Sequence, residues 1–262
     1  MNTPTDLFLK TLVANLDNQN TIGVAITGSH ARGEGGQYSD VDIHQYVRQM
    51  PDNPAQISYL RFIDGILVSV SLTSLNEAYD NLRNPKKAVW AIPGLRQLRI
   101  LLDKDGSITV LKESAARTNW QPMQGAANAY ASRSLSGCAE EILKILAGLT
   151  QRNEAKTLYA IWGLTKALAN SVIVQGGYLI QTENVFIDLA QEAAGRTSEW
   201  TRQFRLSIGL DLLSLEEPAY KGYGIAGLRL YRETARLLQN IFLPEDAVVV
   251  NRTIEIIAEA GY

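Results

Sequence analysis

The chain has 262 residues, 46% apolar and 20% charged, the composition of a globular protein large enough for one big domain or two small ones. Its 25 basic and 27 acidic residues leave a net charge of −2, so no global field favours nucleic acid or an anionic membrane, and neither partner is expected. The single cysteine, Cys138, excludes an intramolecular disulfide and a cysteine-built zinc cluster. The opening MNTPTDLFLKTLVANLDNQ carries acids and lacks a basic n-region before an apolar run, so no signal peptide is expected. No stretch approaches the ~18 consecutive apolar residues of a membrane span, and a cytoplasmic location is the expectation. In chain order, Leu7, Phe8, Leu12, Val13 and Leu16 form a helical stripe over Thr5–Leu16. Thr21–Thr27 is short, β-branched and closed by Gly-Ser, which predicts a buried strand, and the alternation in Asp40–Val47 predicts a second. Ser58–Asp64 and Ile66–Thr73 predict a hairpin through Asp64-Gly65. Leu98–Leu102 predicts a further strand, closed by the turn Asp103-Lys104-Asp105-Gly106.

Beyond Pro122 the texture changes to three-to-four-residue apolar spacing in alanine-rich segments. Helices are predicted over Gln124–Gly148, Asn153–Gln175, Asn184–Ala194, Ser198–Leu213 and Ala219–Asn240. The pattern predicts an α+β protein: a small mixed-sheet domain over 1–120, then an α-helical bundle over 121–262.

The segment that carries chemistry is Thr21–His44, TIGVAITGSHARGEGGQYSDVDIH. Gly28-Ser29 follows the first strand directly, and Gly33, Gly35 and Gly36 are expected to keep the next stretch open. A glycine-rich turn there lets backbone N–H groups approach a phosphate, with Ser29 adding a hydroxyl and Arg32 a guanidinium. Downstream, Asp40 and Asp42 lie two apart on a predicted strand, so both carboxylates leave one face with Cα atoms roughly 6.5 Å apart. That spacing suits Mg²⁺, which takes oxygen ligands and substrate phosphates. An Asp-x-Asp pair is more often just solvated. With the Gly-Ser fixed ten residues upstream, chance occurrence falls to the order of 10⁻⁵ per start position at ~6% usage each.

Gly28-Ser29, then His30 to Ser39, then Asp40-Val41-Asp42 resembles the Gly-Ser-x₁₀-Asp-x-Asp motif of the nucleotidyltransferase superfamily. Ala31-Arg32-Gly33 and Ser39 resemble the motif's usual decoration. The two-part plan resembles antibiotic nucleotidyltransferases of the aminoglycoside type. The resemblance implies transfer of a nucleoside monophosphate, AMP foremost, from an NTP such as ATP to a hydroxyl of a small molecule, with an aminoglycoside-like antibiotic as one candidate. It implies Mg²⁺ on Asp40 and Asp42, and phosphates on Gly28, Ser29, Arg32 and Ser39. The family also supplies a third carboxylate from a neighbouring strand. The matching strand here is Ile66–Thr73, whose candidate positions hold Ser69 and Ser71, neither a base near neutral pH.

Replacements for that acid are Asp64, Glu77, Glu140 or Glu141, and Glu141 is the one assigned here to the catalytic set. Lys166, with Lys156 as the alternative, is assigned to the triphosphate; a lysine in such a stripe otherwise snorkels to solvent. His44 shares the strand face of Asp42. Trp90 and Trp120 are expected to pack near the domain junction, Arg96 and Arg99 at the surface, and Thr182-Glu183-Asn184 to cap a helix. Two other activities stay open: a protein- or RNA-modifying nucleotidyltransferase of toxin–antitoxin type, and an NTP-binding sensor with weak or no transfer.

Overall fold

The computed structural model describes residues 4–211 and 218–262 and divides into two compact units, Met1–Trp120 and Gln121–Tyr262.

The first unit opens with α1 (Asp6–Leu16), started by Thr5, whose hydroxyl accepts from the Phe8 N–H at 3.1 Å. There follow β1 (Thr21–Ile26), α2 (Gly28–Arg32), β2 (Val41–Val47), β3 (Ser58–Ile63) and β4 (Ile66–Ser74). Then come α3 (Leu75–Asn81), α4 (Pro85–Gln97), β5 (Arg99–Asp103) and α5 (Ser107–Arg117). The five strands lie in the order β3-β4-β2-β1-β5. Only β2 and β4 run parallel; the other pairs are antiparallel. The β3–β4 turn places Asp64 at φ 49° and Gly65 at φ 77°, the doubly left-handed pair of a type I′ hairpin that Asp-Gly favours.

Alternation sorts the side chains. Val24, Ile26, Val41, Ile43, Val68 and Val70 pack with Leu9, Leu12 and Leu16 of α1 in one core. A buried polar tie fixes the end of α1 on the sheet: Gln45 Nε2 donates to the Leu16 carbonyl (2.8 Å) and to Thr21 Oγ1 (2.9 Å). The opposite face of β1 takes α5. At Gly23 a Cβ would overlap Ile108 of α5 and the Leu102 carbonyl, so only glycine allows that approach.

The strands, the hairpin and α1 stand where the sequence places them, with ends shifted by a residue or two. Helices α3, α4 and α5 are structure the sequence pattern did not predict. Pro93-Gly94 inside α4 reads locally as a turn, yet Pro93 is buried within the helix. Asp103 starts α5, its carboxylate accepting from the Ile108 and Thr109 N–H groups at 3.3 and 3.0 Å.

The second unit is helical: α6 (Gln124–Gly137), α7 (Ala139–Thr150), α8 (Glu154–Gly176), α9 (Phe186–Ala194), α10 (Glu199–Ser207), α11 (Ala219–Leu238) and α12 (Pro244–Glu259). Helix α8 is central and packs on α6, α7, α9 and α11. Its length and mean hydropathy of 1.2 would suit a bilayer, but 61% of that apolar window is buried inside the protein, as in a core helix. At Gly148 a Cβ would overlap the Thr157 hydroxyl, so the glycine lets α7 close on the start of α8. Gly177 ends α8 at φ 69°.

Two expectations change here, and one helix is added. The helix predicted over Gln124–Gly148 is two, broken at Cys138, which closes α6 and opens α7. The helix predicted over Ser198–Leu213 ends at Ser207, with Ser198 as its cap; residues 212 and 213 lie outside the described residues. Helix α12 was not predicted. It is held by Asp246, whose Oδ2 accepts from Ser132 Oγ at 2.7 Å in the interior.

Candidate active site

Strand β1 ends in the fully buried Ile26, and the chain leaves through Thr27, whose N–H donates to the Asp42 carbonyl at 2.9 Å. Gly28, at φ 64°, then starts the single turn of α2, and Gly33, at φ 76°, ends it. The glycine-rich stretch is therefore not an open loop throughout. Gly28 is required twice over: its φ is left-handed, and a Cβ there would overlap Asp42 Oδ2 and stand 3.2 Å from the carboxyl carbon. Helix α2 thus starts directly against the Asp42 carboxylate. The first N–H groups of a helix have no acceptor within it, and here they belong to Gly28, Ser29 and His30.

The segment after α2 folds back on it. The Glu34 N–H donates to the Ser29 carbonyl at 2.9 Å, and a Cβ at Gly35 would overlap the His30 imidazole. The Gly36 N–H donates to Ser39 Oγ at 2.9 Å, so the Ser39 hydroxyl, expected on a phosphate, also secures the loop. Arg32 donates through Nε to Glu34 Oε2 at 2.7 Å. No described residue hydrogen-bonds the Ser29 hydroxyl.

Strand β2 begins at Val41, so Asp40 stands at its entrance and Asp42 within it; both are half-buried. Burial raises the Asp42 pKa above the ordinary carboxylate value and the Asp40 charge adds to this, while His30 and Arg32 act against it. Asp40, His30 and Arg32 are all within electrostatic reach of Asp42. Neither aspartate side chain receives a hydrogen bond or ion pair from a described residue. Two carboxylates that repel each other and lack protein partners fit a hard divalent cation, which would relieve the repulsion and keep coordination positions for water and phosphate. Among the described residues no group of three His, Cys, Asp or Glu side chains is placed to hold a metal.

The parallel β2–β4 register pairs Asp42 with Ser69 and His44 with Ser71. Ser69 therefore occupies the strand position beside Asp42. Of the substitutes named for a third acid, Asp64 is exposed at the hairpin tip. Glu77 accepts from Thr73 Oγ1 at 3.4 Å, and Thr73 is level with Tyr46, about 13 Å along β2 from Asp42. His44 shares the Asp42 face, and burial lowers its pKa, which favours a neutral imidazole.

Glu141 and Lys166 belong to the second unit. Glu140 and Glu141 both pair with Lys144, at 2.9 and 3.0 Å, and Glu141 Oε2 is buried with no hydrogen-bond partner. Lys166 is exposed on α8, and Lys156 Nζ donates to Gln151 Oε1 at 3.5 Å. Thr182 accepts from the Asn184 N–H at 3.5 Å as a cap. Trp90 lies in α4 and Trp120 closes the first unit; Arg96 and Arg99 are exposed as expected. Sequence reasoning passed over Tyr38, 92% exposed two residues before Asp40, and the apolar pair Leu60 and Phe62 on β3.

No family model matches the chain, and no curated protein matches it. In structure it is similar to a nucleotidyltransferase-like protein from Exiguobacterium sibiricum 255-15, solved at 1.90 Å. The likeness covers 97% of this chain and 79% of that one, at a TM-score of 0.50 and 14% identity. At that identity it is a likeness of fold alone; the architecture of this chain is α+β, a mixed five-stranded sheet followed by a helical part.

Proposed function

We propose that this protein is a nucleotidyltransferase that moves a nucleoside monophosphate, AMP in the first instance, from Mg²⁺-bound NTP to a hydroxyl of a small molecule. The observation that carries the proposal is the pair Asp40 and Asp42, which no described residue hydrogen-bonds or pairs, with the start of α2 pressed against Asp42 through Gly28. When bound, Mg²⁺ would supply charge neutralisation for the triphosphate and for the departing pyrophosphate. Asp40 and Asp42 would hold it. The N–H groups of Gly28 and Ser29 and the Ser29 hydroxyl would orient phosphate oxygens, and Arg32, close by at the end of α2, would add positive charge. The likeness of fold to a nucleotidyltransferase-like protein supports the reaction class.

Calorimetry of the protein with Mg-ATP, beside incubation with labelled ATP and a panel of hydroxylated acceptors, tests this. Binding that needs Mg²⁺, with labelled AMP appearing on an acceptor, is the expected result. No binding with either ATP or GTP would remove the proposal.

A second reading is favoured by one pairing. Ser69 stands beside Asp42 where an acid would complete the metal site, so the protein would bind Mg-NTP without appreciable transfer. Mg-dependent binding with no pyrophosphate release on any acceptor would select it.

A further inference from the structure

Asp42, Ser69 and Leu60 lie side by side across three neighbouring strands, since Asp42 pairs with Ser69 and Ser69 with Leu60. Directly paired residues project from the same face, so Leu60 shares the face of Asp42. Phe62, paired with Leu67, extends that face along the edge strand. The other face of the same strands is the core, where Val68 and Val70 are fully buried. Leu60 and Phe62 are 60% and 75% exposed, so two large apolar side chains stand in solvent beside the metal pair. Leu60 is two strands from Asp42, about 10 Å at the usual strand spacing.

The charge on this face is as informative as its apolarity. From Ser58 to Phe62 on β3 and from Leu67 to Thr73 on β4, the side chains sharing it are serine, threonine, leucine and phenylalanine. The one charged residue of β3, Arg61, pairs with Val68 and so belongs to the opposite face, its guanidinium 4.7 Å from the Tyr59 ring centre. On these strands a polycationic acceptor would find no carboxylate beside Leu60 and Phe62; Glu77 of α3 reaches the face at Thr73, four residues along β4 from Ser69, and Asp64 lies in the hairpin turn. An uncharged acceptor with an aromatic or apolar body would cover Leu60 and Phe62 and present its hydroxyl towards Asp40 and Asp42.

We infer that the β3–β4 face is the acceptor subsite and that it takes a neutral, ring-bearing hydroxyl compound rather than an amino sugar. The inference rests on the proposed nucleotidyl transfer, but binding tests it without turnover. The probes are 4-methylumbelliferyl β-glucoside, neutral and aromatic, and neamine, hydroxylated and polycationic. Titrations of full-length protein in Mg-ATP should give at least tenfold tighter binding of the glucoside. Leu60→Ser/Phe62→Ser, which alters only exposed side chains, should weaken glucoside binding at least tenfold and leave Mg-ATP affinity unchanged. Phe62→Tyr should retain it. Neamine binding equal to or tighter than the glucoside overturns the inference, as does glucoside binding indifferent to the double substitution. A dimer that the double substitution dissociates would also overturn it, because the face would then belong to a second copy of the chain. Absence of Mg-ATP binding is a different result and counts against the nucleotidyl-transfer proposal itself.

Discussion

Gly28 and the Asp42 carboxylate are in contact so close that no side chain fits at Gly28. Gly28→Ala would add a Cβ that overlaps Oδ2 at a backbone φ of 64°, which costs an L-residue of order 1–2 kcal/mol. The start of α2 must then move away from Asp42. Mg-dependent ATP binding should fall at least tenfold, with a modest loss of thermal stability, readable by calorimetry and melting on one preparation.

Asp42→Asn separates function from stability. The folded pKa of Asp42 is raised, by burial first and by Asp40 second. The folded state therefore binds the proton more tightly than the unfolded chain, and ionised Asp42 destabilises the metal-free protein. Above the folded pKa the asparagine variant should melt higher than the parent without metal. The gap should close as pH falls through that pKa towards the unfolded value near 3.8. Saturating Mg²⁺ should reverse the order at neutral pH, because only the parent gains from binding it. Equal melting temperatures at pH 7 without metal would contradict the electrostatic account.

Ser69→Asp tests the consequence of the Asp42–Ser69 register. A carboxylate there should increase Mg²⁺ affinity and raise the rate of pyrophosphate release by tenfold or more, with little change in ATP affinity. A rate unmoved by the added acid would show that the β4 position is not part of the metal site.

Gln45→Leu should reveal how α1 is tied to the sheet. The variant removes two buried hydrogen bonds, while the Leu16 carbonyl still accepts from Thr21 Oγ1 at 2.8 Å and Thr21 Oγ1 from the Asn18 N–H at 3.3 Å, so the loss is about 1–3 kcal/mol at the usual net value per bond. Urea unfolding followed by circular dichroism measures it. A change under ~0.5 kcal/mol would mean that water takes the place of the amide.

How far the sequence foretold this protein depends on the range of the forces involved. Strands with strict alternation, such as Val41–Val47, and the Asp64-Gly65 hairpin are set by local rules and were legible. The Gly28–Asp42 contact and the one-turn helix that makes it were not, since a glycine-rich stretch reads as an open loop until the strands around it are placed. Helix α4 was hidden because Pro93-Gly94 is a turn signal until tertiary burial overrides it. Helix α12 was missed although Pro244, Glu245 and Asp246 mark its start well. In the site, the resemblance pointed to the strand Ile66–Thr73 with Ser69 and Ser71 as candidates, and the register selects Ser69 beside Asp42. The exposure of Leu60 and Phe62 was not legible, since burial of an edge strand is decided by whatever else the chain packs there.

The break between α6 and α7 has a practical consequence. Cys138 sits at that joint, buried, with its thiol pushed up to about 12 by burial and by the nearby Glu141. At pH 8 only ~1 molecule in 10⁴ would carry the thiolate in the folded state, against roughly one in four for an exposed cysteine. The protein's single cysteine is thus a silent label that becomes reactive when the helices around it part. Pulsed alkylation therefore offers a clock for opening of the helical unit that needs no engineered probe.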